Sequence, residues 1–142
     1  MSEDKKPRAR AIGGVFFRSA NPEETRNWYA RHLGLAIDAY GTNFAWRHKD
    51  EPDKAGYSQW SPFEADTDYF GDREQQFMIN YRVENLDLLL EQFRKDGVEI
   101  VGDMQVEAFG RFVHIIDNDG RRVELWEPID AEYEKILNGV TK

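Results

Sequence analysis

The fold is decided by IGGVFFRSANP, residues 12–22, and by its counterpart QFMINYRVENL, residues 76–86. Each stretch contains β-branched and aromatic residues, which favour a strand, and leads to an asparagine that is typical of a helix N-cap. The two asparagines, Asn21 and Asn85, lie about 64 residues apart. Such an internal repeat predicts two copies of one supersecondary unit, neither of which buries its sheet face alone.

The sequence after each asparagine continues the repeat. A glycine that can end a helix in the left-handed conformation, Gly34 or Gly97, follows each helical segment. Three further strands are then predicted in each unit, from apolar runs separated by turn residues. They lie at about 35–40, 43–48 and 56–61 in the first unit, and near 98–101, 111–117 and 122–127 in the second. Each unit therefore has the order strand–helix–strand–strand–strand, and the fold class is α+β.

Composition limits the possible functions. The chain has 142 residues, a net charge of −8 and no cysteine. This charge argues against nucleic-acid binding, and the lack of cysteine excludes disulfides and thiolate chemistry. No apolar stretch approaches the roughly 20 residues that span a bilayer. We expect a cytoplasmic protein with neither a nucleic-acid nor a membrane partner.

The predicted domain organisation follows the repeat. Residues 1–10 are expected to be a disordered N-terminal tail, and 11–128 form the domain. Its first module covers about 11–63 and its second about 76–128, with a linker at 64–75. Residues 129–142 are expected to form a C-terminal helix and tail.

The chain resembles the vicinal oxygen chelate superfamily of glyoxalases, bleomycin resistance proteins and extradiol dioxygenases. The motifs that carry the resemblance are Trp28-Tyr29, Leu33-Gly34-Leu35, Tyr81-Arg82-Val83, Gly110-Arg111-Phe112, Asp117 to Gly120, and Val123 to Pro128. The resemblance implies two tandem βαβββ modules that form curled mixed sheets around a cleft. It also implies a small organic ligand and a homodimer, because curled sheets leave apolar faces to cover.

In metal-dependent members of that superfamily, four inward side chains, usually His, Glu or Gln, bind one divalent ion. Alternation along the strands places the matching positions at Gly14, Ser58, Met78 and Glu124. Only Glu124 is a competent ligand. Gly14 has no side chain, Ser58 offers a neutral hydroxyl and Met78 offers a thioether. A catalytic metal needs about three protein ligands. We therefore expect no metal cofactor. The alternative is that the protein binds one divalent ion, Zn, Ni, Mn or Fe.

His114 and Glu124 form the candidate catalytic pair. They lie at equal distances from the turn at Asp117 to Gly120, so they are expected to face each other across a hairpin. Three roles stay open for the pair: lining a ligand pocket, acid–base catalysis, and binding a metal with a third donor such as Gln59 or His48.

The remaining candidates are expected to line the cleft and contact an organic ligand, the aromatic ones by stacking and the polar ones by hydrogen bonds. They are Phe16, Trp46, Ser58, Trp60, Met78, Asn80, Arg82, Phe112 and Trp126. The alternative for the aromatic residues is that they fill the barrel as core.

Three functional hypotheses follow. The first is a small-molecule-binding protein without the usual metal site. The second is a metal-dependent lyase, isomerase or ring-cleaving dioxygenase that uses Glu124 and His114. The third is an interaction protein with a filled barrel and no pocket.

Overall fold

The computed structural model describes residues 5–141, which form one eight-stranded sheet and three helices. In chain order the elements are β1 (Arg8–Ser19), α1 (Pro22–Leu33), β2 (Thr42–Arg47), β3 (Ala55–Glu64), β4 (Phe77–Glu84), α2 (Leu86–Asp96), β5 (Ile100–Glu107), β6 (Gly110–Ile116), β7 (Arg122–Pro128), α3 (Asp130–Glu134) and β8 (Val140–Thr141). The predicted α+β class is confirmed.

The two repeated helices begin and end as their sequences predict. The side chain of Asn21 accepts a hydrogen bond from the Glu24 N–H at 3.1 Å, and Pro22 opens α1. The side chain of Asn85 likewise accepts from the Leu88 N–H. Both helices end at a glycine with a positive φ. This conformation costs glycine little free energy, because glycine has no Cβ.

The two units join through their first strands. The strand order is β5-β6-β7-β4-β1-β3-β2-β8, with β1 and β4 antiparallel at the centre. On one face, Leu86 and Leu90 of α2 are buried against Val83, Val113 and Leu125. A fully buried leucine contributes about 1.5–3 kcal/mol, so this contact fixes α2 on the second unit. The opposite face encloses the hollow between the units.

The strand predicted at 35–40 does not form. The Asp38 carboxylate accepts hydrogen bonds from the N–H groups of Tyr40 and Gly41, which turns the chain there. The edge of the sheet is taken by β8 instead, because Val140 and Thr141 pair in parallel with β2. The C-terminal segment thus supplies the eighth strand.

The boundaries at the two ends also differ from the sequence prediction. Within the segment predicted as a tail, Arg8 and Ala9 pair with β4, and Arg10 forms an ion pair with Glu84. Residues 1–4 of that tail lie outside the described residues. The predicted C-terminal helix covers only Asp130–Glu134. Within residues 5–141, no helix has the length and apolar character needed to cross a membrane.

Candidate functional site

Strand register places one set of side chains on the hollow face. Asn80 pairs with Gly14 on β1 and with Glu124 on β7, and Glu124 pairs with His114 on β6. Directly opposed residues in a sheet project to the same side. The predicted convergence of Glu124, His114 and Asn80 is therefore found, and Met78 lies beside them, paired with Phe16.

Glu124 is the centre of a buried hydrogen-bond network. Its side chain is 3% exposed. Asn80 Nδ2 donates to Oε1 at 2.6 Å, and His114 Nε2 lies 2.9 Å from Oε2. The Tyr69 hydroxyl donates to the same Oε2. Both carboxylate oxygens are thus engaged by groups of the chain, as a buried carboxylate requires.

Tyr69 brings the inter-module segment into this network. Its ring packs edge-on against the His114 ring, with the centroids 4.8 Å apart, and stacks on Phe63. Burial raises the pKa of Tyr69 above its ordinary value, and the adjacent Glu124 carboxylate raises it further. The phenol therefore stays protonated at neutral pH and donates to Glu124. Neighbouring Phe70 is fully buried against Phe16 and Met78.

Arg82 lies two residues along β4 from Asn80, on the same face of the sheet, and is 3% exposed. Its guanidinium carbon is 5.0 Å from the ring centroid of Trp46 and 5.2 Å from that of Trp126. Nη2 donates to both carboxylate oxygens of Asp130, at 2.7 and 2.5 Å. Trp126 also stacks on Phe112, with an interplanar angle of 7°. Four predicted ligand-binding residues therefore form one aromatic–cationic group.

Tyr133 of α3 fills the hollow on the side of the first module. Its ring lies edge-on to Trp126 at 4.9 Å and packs against Tyr57. The hydroxyl donates to Asn43 Oδ1 at 2.7 Å and accepts from Gln59 Nε2. Burial raises the pKa of Tyr133 to about 12. The side chain is thus buried among aromatic rings, and its hydroxyl is bonded to two polar side chains.

The structure places Ser58 and Trp60 away from the predicted positions. Gln59, not Ser58, pairs with Gly14. The Ser58 hydroxyl donates to the Ile12 carbonyl and accepts from the Trp46 indole. Trp60 packs against Tyr29 of α1, with centroids 4.7 Å apart. The cause is a one-residue shift on β3 relative to β7, since each step along a strand reverses the face.

Gly13 and Gly14 have a packing role. A β-bulge lies between Ile12 and Gly14, where the register with β4 shifts. A Cβ at Gly13 would meet Asn80 Oδ1 and would lie 2.9 Å from Arg82 Cγ. A side chain at Gly13 would displace Asn80, which donates to Glu124, so the glycine is required by close approach.

The donor set does not fit the metal site of the superfamily. Of the four predicted positions only Glu124 carries a carboxylate or imidazole, and its oxygens are already bonded. Gln59, which replaces Ser58, is bonded to Tyr133. Among residues 5–141 no three His, Cys, Asp or Glu side chains are grouped so as to hold an ion. A divalent ion bound to Glu124 would need at least two further protein ligands in addition to that carboxylate.

Two cavities border these residues. The first, of about 360 Å³, is lined by Tyr69, Phe112, His114, Arg122 and Gln105, among others. The second, of about 1150 Å³, is lined by Arg82, Asp130 and His48 together with many charged residues. The His114 ring thus has Glu124 on one side and the first cavity on the other.

Sequence reasoning did not identify Tyr69 or Tyr133. Both lie outside the repeat, in segments that were predicted as linker and tail. The available signal was weak: apolar aromatic residues inside polar segments, which are unfavourable in solvent. Only tertiary packing shows that each enters the hollow.

Comparison with solved structures supports the fold. The chain is similar to methylmalonyl-CoA epimerase from Streptomyces coelicolor, solved as a variant in complex with 2-nitronate-propionyl-CoA, with 15% identity, a TM-score of 0.63, and coverage of 85% of this chain and 99% of that one. The epimerase from Mycobacterium tuberculosis gives 20% identity, a TM-score of 0.58, and coverage of 85% and 89%. A superfamily member from Vibrio splendidus 12B01 gives 8% identity, a TM-score of 0.51, and coverage of 86% and 100%.

A search of curated proteins found no match. The sequence model of the Glyoxalase/Bleomycin resistance protein/Dioxygenase superfamily matches residues 11–125, most of the chain. The predicted resemblance is confirmed by this match and by the paired modules around a hollow. The chain belongs to the glyoxalase/bleomycin resistance protein/dioxygenase superfamily.

Proposed function

We propose that the protein is a metal-independent small-molecule-binding member of this superfamily, and that its ligand occupies the 360 Å³ cavity beside His114. The observation that carries the proposal is that Asn80, His114 and Tyr69 engage both carboxylate oxygens of Glu124. A carboxylate whose oxygens are both engaged is a poor ligand for an ion, whereas the adjoining cavity is open.

The lining of the cavity supports an organic ligand with a polar group. Tyr69 and Phe112 offer flat apolar surfaces, and His114 and Arg122 offer polar nitrogens. The lining also includes the carboxylates of Asp68 and Asp103, so Arg122 is the guanidinium that an acceptor group of the ligand would contact.

Thermal-shift screening of aromatic and carboxylate metabolites tests the proposal. A ligand at about 100 times its Kd adds roughly 2.7 kcal/mol to stability. Gln105→Trp should abolish the shift by filling the cavity, because Gln105 lines it. Gln92→Trp is the matched control, since Gln92 is an exposed glutamine on α2 that lines neither cavity. A shift that persists in Gln105→Trp would place the ligand elsewhere.

Metal content gives the second test. Protein purified without chelator or metal-affinity resin should contain no stoichiometric divalent ion. One equivalent of Zn, Ni, Mn or Fe, lost on Glu124→Ala, would replace the proposal with the metal-dependent alternative. The filled-barrel alternative agrees with the packing of Tyr133 and Phe70, but the cavity beside His114 favours ligand binding.

A second candidate function is acid–base catalysis on an activated C–H bond. The observation that favours it is the Glu124–His114 pair, in which the carboxylate orients an imidazole that lines the cavity. A ligand found by the screen should then exchange a C–H proton with D₂O, measured by NMR. His114→Gln should abolish that exchange while retaining binding.

Homodimer formation and a cytoplasmic location stay predictions. Trp28 and Leu33 of α1 are 53% and 62% exposed, which supports a covering partner subunit. Light scattering of the purified protein would test the dimer, and a monomer at all concentrations would exclude it.

A further inference from the structure

Arg82 is a cation that the fold removes from water. Its side chain is 3% exposed, and tryptophan rings lie on it from two strands, Trp46 and Trp126. Nη1 donates to the Tyr57 carbonyl at 3.2 Å. Because a buried guanidinium is unfavourable without a counter-charge, this position requires an anion.

The anion in the structure comes from α3. Within residues 5–141, Asp130 is the carboxylate that forms an ion pair with Arg82. Asp130 is itself 26% exposed, and both residues line the 1150 Å³ cavity. His48 Nε2 lies 3.4 Å from Oδ2 of the same carboxylate and has no hydrogen-bond partner among the described residues. A carboxylate at the mouth of the cavity thus meets a guanidinium and an imidazole.

The same helix places a phenol beside this carboxylate. Asp130 and Tyr133 are three residues apart, so they lie on one face of α3. The Tyr133 ring packs on Trp126, and its hydroxyl bonds Asn43 and Gln59. Arg82 therefore holds a carboxylate while a nearby aromatic recess holds a hydroxyphenyl ring. Together the two side chains have the groups of a hydroxyaryl carboxylate.

The segment that supplies these groups is short. α3 has five residues, and Ile129 at its N-cap makes no side-chain hydrogen bond to the helix. The helix is attached to the sheet by Asp130, by Tyr133 and Leu137 in one apolar cluster, by the Tyr57–Glu134 hydrogen bond, and by a hydrogen bond from the Ile129 N–H to the Phe109 carbonyl. A segment of this kind can open locally without unfolding the sheet.

We propose that Arg82 is the centre of a binding site for hydroxyaryl carboxylates, and that Asp130 and Tyr133 occupy this site in the resting protein. The ligand carboxylate would bind Arg82 by charge-assisted hydrogen bonds, with its ring against Trp126 in place of Tyr133. Its hydroxyl would bond Asn43 and Gln59. This site is separate from the cavity beside His114 and does not depend on the function proposed for it.

The intramolecular occupant sets the expected affinity. The apparent Kd equals the intrinsic Kd divided by the fraction of protein in the binding-competent state. A site that its own side chains occupy most of the time therefore binds its ligand weakly. Removing the Asp130 carboxylate frees the guanidinium, and binding should then become tighter by about tenfold or more.

The test measures binding of 3-(4-hydroxyphenyl)propionate by calorimetry to the full chain carrying Gln105→Trp, which excludes the cavity beside His114. Adding Asp130→Ala should lower the Kd at least about tenfold. Glu132→Ala is the matched control, because Glu132 is on the same helix and pairs only with exposed Lys135 among the described residues. The neutral amide of the probe should not bind, and Arg82→Met added to Asp130→Ala should abolish binding.

An equal Kd in Asp130→Ala and Glu132→Ala would overturn the proposal, as would equal binding of acid and amide. If Asp130→Ala does not fold without ligand, the probe should restore its thermal transition, and Asp130→Asn should bind more tightly than the parent. Failure of both would also overturn it. In the parent protein, saturating probe should accelerate amide hydrogen exchange in α3, while slower exchange there would contradict displacement of the helix.

Discussion

Replacing Tyr69 by phenylalanine removes one hydroxyl from the centre of the molecule. That hydroxyl donates to Glu124 Oε2, and it is the contact that joins the inter-module segment to the buried carboxylate. The ring itself stays able to pack against His114 and Phe63. The substitution therefore tests the hydrogen bond rather than the aromatic packing.

The expected cost follows from the character of the acceptor. A hydrogen bond to a charged group contributes about 1.5–3 kcal/mol, more than one between neutral groups. The Glu124 side chain is 3% exposed, so water cannot easily replace the lost donor. For a domain of this size each kcal/mol lowers the Tm by roughly 2–4 °C, which gives a decrease of roughly 3–12 °C.

Urea unfolding measures this loss as a lower midpoint at an unchanged slope. Tyr40→Phe is the control, because Tyr40 is 77% exposed, and its change should stay within about 0.5 kcal/mol. A double-mutant cycle with Glu124→Gln should give a coupling free energy of about 1 kcal/mol or more. If Tyr69→Phe were no more destabilising than Tyr40→Phe, the linker would not be held by Glu124.

Three further predictions concern packing, pH and capping. Gly13→Ala should lower the unfolding free energy by about 1–3 kcal/mol, because its Cβ would meet Asn80 and Arg82; an unchanged urea midpoint would refute this. Since burial raises the pKa of Tyr133 to about 12, its stabilisation is complete below pH 10 and falls by about 2–3 kcal/mol as the pH rises from roughly 10 to 12. In Tyr133→Phe the unfolding free energy should fall less steeply over this pH range than in the parent protein. An equally steep fall would refute the assignment of this pH dependence to Tyr133. Asn21→Ala should cost about 1 kcal/mol while Asn21→Ser costs little, as circular dichroism melts would show; equal costs would exclude the cap.

Much of the fold could be predicted because local sequence determines it. The asparagine caps, the glycines that end each helix, and the turn at Asp117 to Gly120 act within a few residues, and all are present in the structure. The prediction of a strand at 35–40 was wrong, and part of the reason is also local. Asp38 bonds two backbone N–H groups, and the edge it leaves is taken by Val140 and Thr141, about 100 residues away. Pairing at that distance leaves no pattern in the sequence.

The site was predictable only where one hairpin or one strand pair determined it. Equal spacing from a turn placed His114 opposite Glu124, and the structure has this pair at 2.9 Å. Placing Ser58 at the position that matches Glu124 gave the wrong face, because Gln59 pairs with Gly14 and a shift of one residue reverses every side chain of a strand. Register between distant strands is set by bulges and packing, which the sequence does not state.

The repeated units form the hollow, but segments outside the repeat occupy it. Tyr69 comes from the segment between the units and Tyr133 from the segment after them, and each bonds a polar side chain on the hollow face. The strands can therefore stay similar among superfamily members while these two segments determine what space remains and which polar groups are free. Differences in ligand choice between this protein and its relatives should thus arise mainly at residues 64–76 and 129–141. Exchanging those segments should change binding more than exchanging any strand of the two repeated units.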